Sequence, residues 1–223
     1  KIFLHPEQVC IAWAARKLGV MVRWQQSRSD CFLSDLHGRD NRSQARAAID
    51  ETGRILALQV TVHANMGAWL SNFSTYIPTS SGCRTLTTVY DIKTASLQVI
   101  GVMTNTPAVD AYRGAGRPEA NYLMERLMDH IAVETGYSRL DVRRVNMIKA
   151  AQIPYEMVSG GIIDSGEIPE LFEAAIKQAD VAGFASRREQ SCTQNKFRGI
   201  GFGMYLEQCG GGKDEGVDVE FQD

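Results

Sequence analysis

The stretch at residues 111–136, AYRGAGRPEANYLMERLMDHIAVETG, limits the fold more than any other part of the chain. Leu123, Met124, Leu127, Met128, Ile131 and Ala132 recur at the spacing that gathers side chains on one side of an α-helix. Pro118 suits the first helical turn, where a missing N–H costs nothing, and Gly136 suits the stop. A one-sided helix needs a surface to cover, because little of its stability is its own. The strand-like ASLQVIGVMTN precedes it. The chain must therefore pass from strand to helix through a short turn carrying Arg113, Gly114, Gly116 and Arg117.

The remaining segments supply the partners. PEQVCIAWAARKLG predicts a helix, with Pro6 and Glu7 in its first turn, Gly19 at its end, and Val9, Trp13, Leu18, Ala12 and Ala15 as its buried stripe. VMVRWQQS predicts a strand, DETGRI a turn, and ILALQVTVHANMGAW a long alternating strand. Residues 70–96, rich in Ser, Thr, Gly and Pro, read as an ordered loop layer. SRLDVRRVNMI predicts a short helix. AQIPYEMVSGGIIDSGE reads as a connection between lobes, and Ser165 as the cap of a helix IPELFEAAIKQAD striped by Leu171, Phe172, Ala175, Ile176 and Ala179. RREQSCTQNK reads as a polar loop and FRGIGFGMYLEQ as a Gly-rich strand whose glycines serve close backbone packing. GVDVEFQD, with Val217, Val219 and Phe221, reads as a strand cut short; with Lys1 in first place, this suggests a piece of a longer polypeptide. Helices and strands mix without a regular β-α-β series, so the expected class is α+β, with a boundary near residues 155–165.

Several function classes drop out. A net charge of −2 gives no reason to expect a nucleic-acid partner. No apolar run approaches the roughly 18–20 residues of a membrane span. Cys10, Cys31, Cys83, Cys192 and Cys209 are scattered and odd in number, which predicts a reducing compartment and no disulfide framework. His5, His37, His63 and His130 show no ligand spacing, so no zinc or iron–sulfur site is expected from this chain alone. GGGK at residues 210–213 is followed by Asp214 rather than Ser or Thr and is not a P-loop. RGIGFG lies in a strand-like run and lacks the strand-to-helix setting of a dinucleotide site. Neither G-x-S-x-G nor H-E-x-x-H occurs. Glu119, Glu125 and Asp129 read as solvated or paired with Arg126 and Arg117, and Arg143 with Arg144 as a basic last turn.

The turn itself admits two readings. Glycines where the backbone takes positive φ or comes close to something, a helix N-terminus with unpaired N–H groups, and two guanidiniums together suit a phosphate or oxyanion. A tight strand-to-helix turn flanked by solvated or ion-paired arginines accounts for the same residues.

Beyond that motif, LHPEQVCIAWAARKLGVMVRWQQSRSD, HGRD, DETGRILALQV, GAW, TNTPAVDAYRGAGRPEA, DVRRVNMI, DSGEIPELFEAAI and RGIGFGMYLEQCGGG occur in the order they take in the molybdenum hydroxylases. The chain resembles the large subunit of that family, which includes xanthine dehydrogenase, aldehyde oxidases and CO dehydrogenase. The resemblance implies that residues 1–155 are a partial first molybdopterin-binding domain and 160–223 the truncated start of a second. It implies that Tyr112, Arg113, Gly114, Ala115, Gly116 and Arg117 wall the cofactor, with the Arg113 backbone amide near molybdenum and no side-chain ligand to the metal. Lys1 resembles the lysine closing a Gly-rich loop that also contacts the cofactor. The substrate pocket would include Ile2, Ser81 and Ala115, where purine-oxidising members carry a glutamate, an arginine and an aromatic residue; Arg84 lies close to Ser81 in sequence. Gly114 stands where CO dehydrogenase has the cysteine that holds copper. These departures favour an aldehyde, another small carbonyl or an N-heterocycle over xanthine or CO.

The implied reaction is hydroxylation with water as oxygen source, with electrons passing to [2Fe-2S] clusters and FAD on partner subunits or domains. The implied cofactor is molybdenum–molybdopterin, its cytosine dinucleotide form left open. The general-base glutamate is expected downstream of this chain, so no catalytic residue is assigned here, and the isolated piece is expected to be inactive. Expected partners are a flavin-binding subunit, an iron–sulfur subunit and a small-molecule substrate, within a homodimeric complex. The expected compartment is the cytoplasm, with the periplasm left open. The rival reading is a non-catalytic scaffold or cofactor carrier of the same fold.

Overall fold

The computed structural model describes residues 5–207 and Glu220. Helix α1 (Pro6–Leu18) begins where the His5 N–H donates to Gln8 Oε1 at 2.9 Å and ends on Gly19 at φ 69°. The expected buried stripe of α1 is absent: Val9, Trp13 and Leu18 are 55%, 61% and 65% exposed, and no residue of the helix is buried. The expected strand at 20–27 does not form either, since this extended segment has no neighbouring strand among the described residues. It runs into α2 (Arg28–Ser34), capped by Ser27 Oγ, which accepts the Asp30 N–H at 3.1 Å.

Strand β1 (Asn41–Ile49) pairs antiparallel with β2 (Ile55–Gly67) across a turn closed by Asp50. Its carboxylate accepts the Thr52 N–H at 2.8 Å and the Arg54 N–H at 3.1 Å. Strand β3 (Ala95–Met103) joins the other edge of β2 in parallel, giving the order β1-β2-β3. With both edges paired, β2 buries Leu58, Val60, Val62, Ala64 and Met66 at the period of a pleated strand. A bulge opposite Ala48 and Ile49 leaves Leu56 unpaired and turns Ile55 into the core.

Residues 70–94 form the expected loop layer, with one π-helical turn at Ile77–Ser81 leading into the short α3 (Gly82–Arg84). The layer is more apolar inside than its composition suggests: Leu86, Val89, Tyr90 and Ile92 join the core. Helix α4 (Arg117–Thr135) then covers the sheet with Met124, Leu127, Met128, Ile131 and Ala132, as its spacing predicts, and stops at Gly136 in the left-handed region. Each fully buried Met, Leu or Ile of this kind contributes roughly 1.5–3 kcal/mol.

Helix α5 (Arg139–Asn146) ends in the expected basic last turn, with Arg143 Nη1 donating to the Arg139 carbonyl at 3.0 Å, but Arg143 also serves carboxylates. Arg143 is wholly buried; its Nε donates to Glu125 Oε2 at 2.9 Å, and its Nη2 lies 3.0 Å from Asp129 Oδ1. Glu125 also accepts the Tyr90 hydroxyl. Glu125 is therefore neither solvated nor paired with Arg126 or Arg117, while Asp129 is shared between Arg143 and Arg126.

After a 3-10 turn at Ala150–Gln152, β4 (Tyr155–Glu156) and β5 (Ile162–Ile163) make a small hairpin, followed by α6 (Ile168–Gln178) and α7 (Phe184–Thr193). Tyr155, Met157, Ile163, Ile168 and Phe172 belong to the same core as the sheet and α4. Asp91 ties the regions together: it pairs with Lys93 and Arg54 at 2.9 and 2.8 Å and accepts from Gln152 at 3.0 Å and the Tyr155 hydroxyl at 2.9 Å.

Four expectations fail here. Ser165 bonds Asp164 instead of capping α6, whose N-cap is Glu167. Leu171 is 65% exposed, and Ala175 and Ala179 are exposed too, so the face of α6 is built on Ile168 and Phe172. The RREQSCTQNK segment is mostly helix α7, which its helix-tolerant Arg, Glu and Gln permit. Residues 197–207 are extended but not a strand, and a Cβ at Gly199 or Gly201 would meet nothing within 4 Å. This segment lies against α4. Arg143 Nη2 donates to the Phe202 carbonyl at 3.2 Å, Asn121 exchanges two bonds with the Leu206 backbone at 3.0 and 3.1 Å, and Arg117 pairs with Glu207 at 3.1 Å. The expected terminal strand at 217–221 falls outside the described residues, as do Lys1 and Ile2.

Candidate functional site

The turn ahead of α4 sits where three segments meet: residues 37–40, the π-helical turn with α3, and the helix itself. His37 bridges in parallel to Val109: its N–H donates to the Ala108 carbonyl at 3.0 Å, and its carbonyl accepts the Asp110 N–H at 2.8 Å. Asp110, 2% exposed, accepts the Ala111 N–H at 2.5 Å and so fixes how the chain leaves the bridge.

From Gly114 to Gly116 three successive residues lie at positive φ: 94°, 43° and 95°. Glycine is needed at both ends of this run. A Cβ on Gly114 would fall 2.5 Å from the Pro118 ring, and one on Gly116 would fall 2.5 Å from the Ile77 carbonyl oxygen and 2.8 Å from the Gly82 nitrogen. Both missing Cβ directions are thus filled by protein, so the glycines serve the turn's own packing. Ala115 carries the strain of a left-handed non-glycine residue.

The turn's polar groups divide into two sets. The Ala115 N–H donates to the Tyr112 carbonyl at 2.7 Å, and the Arg117 N–H to the Gly114 carbonyl at 3.2 Å. The Gly116 N–H is taken by Glu119 Oε2 at 3.1 Å, a cap of the helix start supplied by the helix's own third residue. The N–H groups of Tyr112, Arg113 and Gly114 have no acceptor among the described residues. Tyr112 and Arg113 are exposed, and the Arg113 guanidinium also lacks a partner there. Three unpaired donors, one free guanidinium and the positive end of a long helix make a surface suited to an anionic or oxygen-rich group.

On the reverse side of the turn, Asn41, Gly82, Cys83, Gly116, Glu119 and Ala120 border a space of about 30 Å³. That is room for water but not for a ligand. A partner of the turn must therefore approach residues 112–114 from the open side. Burial pushes the Cys83 thiol above its ordinary pKa, so it is not poised as a nucleophile.

Of the residues expected at the site, Tyr112 to Arg117 are contiguous on this turn. Ser81 is 6% exposed and directly precedes Gly82, which packs against Gly116. Arg84 is exposed, and its carbonyl accepts the Ser159 hydroxyl at 2.9 Å. Arg117 is held rather than free: its Nη1 donates to the Gly114 carbonyl at 3.1 Å, and its Nε pairs with Glu207. Glu119 departs from expectation by serving Gly116 and lying 3.8 Å from the Arg39 Nε. Arg39 was missed as a site residue. Its guanidinium lies 4.6 Å over the Tyr112 ring, and its Nη2 donates to the Arg113 carbonyl. The signal for Glu119 was the G-x-x-E spacing at the helix start; for Arg39 it was only a glycine beside an arginine, too common to single out.

Among the described residues no group of three or more His, Cys, Asp or Glu is placed to hold a metal ion, and no helix is long and apolar enough to cross a membrane.

The sequence pattern of the molybdopterin cofactor-binding domain matches residues 1–147. The 6-hydroxypseudooxynicotine dehydrogenase complex subunit gamma of Paenarthrobacter nicotinovorans is 28% identical over 97% of this chain and 28% of its own length. The carbon monoxide dehydrogenase large chain of Afipia carboxidovorans is 30% identical over 98% of this chain and 28% of its own. Among solved structures, quinoline 2-oxidoreductase from Pseudomonas putida 86 superposes with a TM-score of 0.77 at 26% identity, covering 86% of this chain and 24% of that one. The chain thus spans about a quarter of the length of the relatives it matches.

Proposed function

The chain belongs to the molybdopterin cofactor-binding domain family, and on that premise we propose that it forms part of the catalytic large subunit of a molybdenum-dependent hydroxylase acting on an aldehyde or N-heterocycle. The observation that carries this reading is the run of unpaired N–H groups at Tyr112, Arg113 and Gly114 ahead of the α4 N-terminus. These residues fit the cofactor: backbone donors and a free guanidinium suit its oxygen-rich metal centre and phosphate without a side-chain ligand. Residues 112–117, with Lys1, would hold it; the Arg113 amide would face the metal's oxygen side. When bound, the molybdenum cofactor supplies two-electron oxidation of a carbon with water as oxygen source. The chain's own part is to bind, orient and exclude water.

Substrate choice rests on four positions. Gly114 leaves no thiol for copper, which argues against CO as substrate although a CO dehydrogenase chain is among the relatives. Ile2, Ser81 and Ala115 offer a purine no acid, base or ring to stack on. Quinoline, for which one structural relative is named, is an N-heterocycle. Partner subunits with FAD and [2Fe-2S] clusters would take the electrons; the relatives' names, a complex subunit and a large chain, support a multi-subunit setting. We place the division of the chain between 1–155 and 160–223. The family match ending at residue 147 supports it. The scattered, odd-numbered cysteines are the reason for proposing the cytoplasm, with the periplasm left open.

The test uses the parent protein. Arg113→Ala removes the exposed guanidinium. Gly114→Val forces a branched side chain into positive φ against Pro118. Bound molybdenum and turnover across a panel of aldehydes and heterocycles should both fall. Both values unchanged would refute the assignment, and full molybdenum with no turnover on any substrate in the wild type would favour the carrier reading.

A further inference from the structure

We propose that Arg39 is the positioning residue of this turn, aiming the Gly114 N–H at the bound group while never touching that group itself. The inference rests on the cofactor reading above. A trans peptide is planar, with its carbonyl and its N–H pointing in opposite directions. Whatever holds the Arg113 carbonyl therefore decides where the Gly114 N–H points. Arg39 Nη2 holds that carbonyl. The next carbonyl, that of Gly114, is held by Arg117, but the matching N–H of Ala115 is already spent on Tyr112. Of the two arginines, Arg39 thus controls the donor left free for a ligand.

Two further contacts and two backbone features hold Arg39 in place. Its guanidinium stacks over Tyr112 at 4.6 Å, the residue that opens the turn. Its Nε lies 3.8 Å from Glu119 Oε2, the oxygen that caps Gly116, so this carboxylate joins the helix end of the turn to Arg39. Arg39 itself adopts a left-handed φ of 54°, which returns its side chain toward the turn. The preceding Gly38 permits the close approach, since a Cβ there would fall 2.8 Å from Tyr112 Cβ. A planar fork satisfies a carbonyl, a ring face and a carboxylate together; an ammonium on a flexible stem does not.

The experiment compares Arg39→Ala, Arg39→Lys and Gly114→Val in the full parent protein. It reads bound molybdenum and pterin per subunit and amide exchange at residues 108–118 and at the buried stretch of α4, residues 124–132. Loss of a charge-assisted bond predicts exchange at 108–118 faster by about tenfold to a hundredfold in Arg39→Ala. Molybdenum and pterin occupancy should fall in parallel, with exchange in α4 unchanged and Arg39→Lys recovering only part of the loss. Wild-type occupancy in Arg39→Ala while Gly114→Val loses the metal overturns the positioning role and leaves the cofactor reading standing. Wild-type occupancy in both overturns the cofactor reading as well. Faster exchange throughout α4 in Arg39→Ala makes the residue merely structural and also overturns the proposal.

Discussion

Replacing Arg143 with Met should loosen the union of α4 and α5 far more than its place in a sequence of exposed-looking charges suggests. Arg143 is wholly buried and spends its guanidinium on Glu125, Asp129 and the carbonyls of Arg139 and Phe202. Methionine fills most of the volume but strands Glu125, 13% exposed, without its counter-charge and leaves Asp129, 15% exposed, only the exposed Arg126. Removing one partner of a buried ion pair costs about 3–5 kcal/mol, mostly because the survivors are stranded. Local opening scales with that energy, so amides of α4 and α5 should exchange about two to four orders of magnitude faster. Hydrogen exchange is the right assay, because the proposed multi-domain parent protein offers no single unfolding free energy. Tyr90 adds an internal check. Burial and the neighbouring Glu125 push its hydroxyl well above the ordinary range, so it stays a proton donor to Glu125 and cannot replace the lost positive charge. An exchange increase below about fivefold, equivalent to about 1 kcal/mol, would show that the carboxylates find water or protonate cheaply and would refute the reasoning.

Gly116→Ala should cost at least about 2 kcal/mol, since left-handed strain adds to a backbone clash no rotamer relieves. Gly199→Ala, with open space at its Cβ, should stay within about 0.5 kcal/mol, and amide exchange near each glycine in the two variants decides the comparison. Burial alone would raise the Asp91 carboxyl, but bonds from Lys93, Gln152 and Tyr155 outweigh it and hold the pKa at about 2, against 3.8 when unfolded. A depressed carboxylate stabilises the fold fully above its unfolded value and loses that contribution as pH falls toward the folded one. The stability gap between wild type and Asp91→Asn should therefore be constant above about pH 5 and shrink between about pH 4 and 2; a gap that grows on acidification would contradict the assignment.

How much of this was legible in the sequence depended on where each element's energy comes from. Helix α4 was readable to within a residue at each end because its buried face, its proline and its closing glycine all lie within the segment. The helix of α1 was readable for the same local reasons, but its buried stripe was not, because burial depends on a partner surface that periodicity cannot supply. Strand β1 went unread: NRSQARAAI alternates weakly and owes its existence to pairing with β2. At the site, the glycines and arginines of residues 113–117 were visible as a group, whereas Arg39 and Arg143 act across 74 and 18 residues and carry no local mark.

The segment from Phe197 to Glu207 has a consequence for anyone wishing to split this polypeptide. By position it belongs after the proposed boundary, yet it is tied to α4 through Asn121 and Arg117 and to α5 through Arg143. A cut placed at the proposed boundary would therefore separate α4 from a strip that lies against it. Two halves made that way should find each other again in solution, and the strip alone, supplied as a peptide, is the natural reagent for trans-complementation.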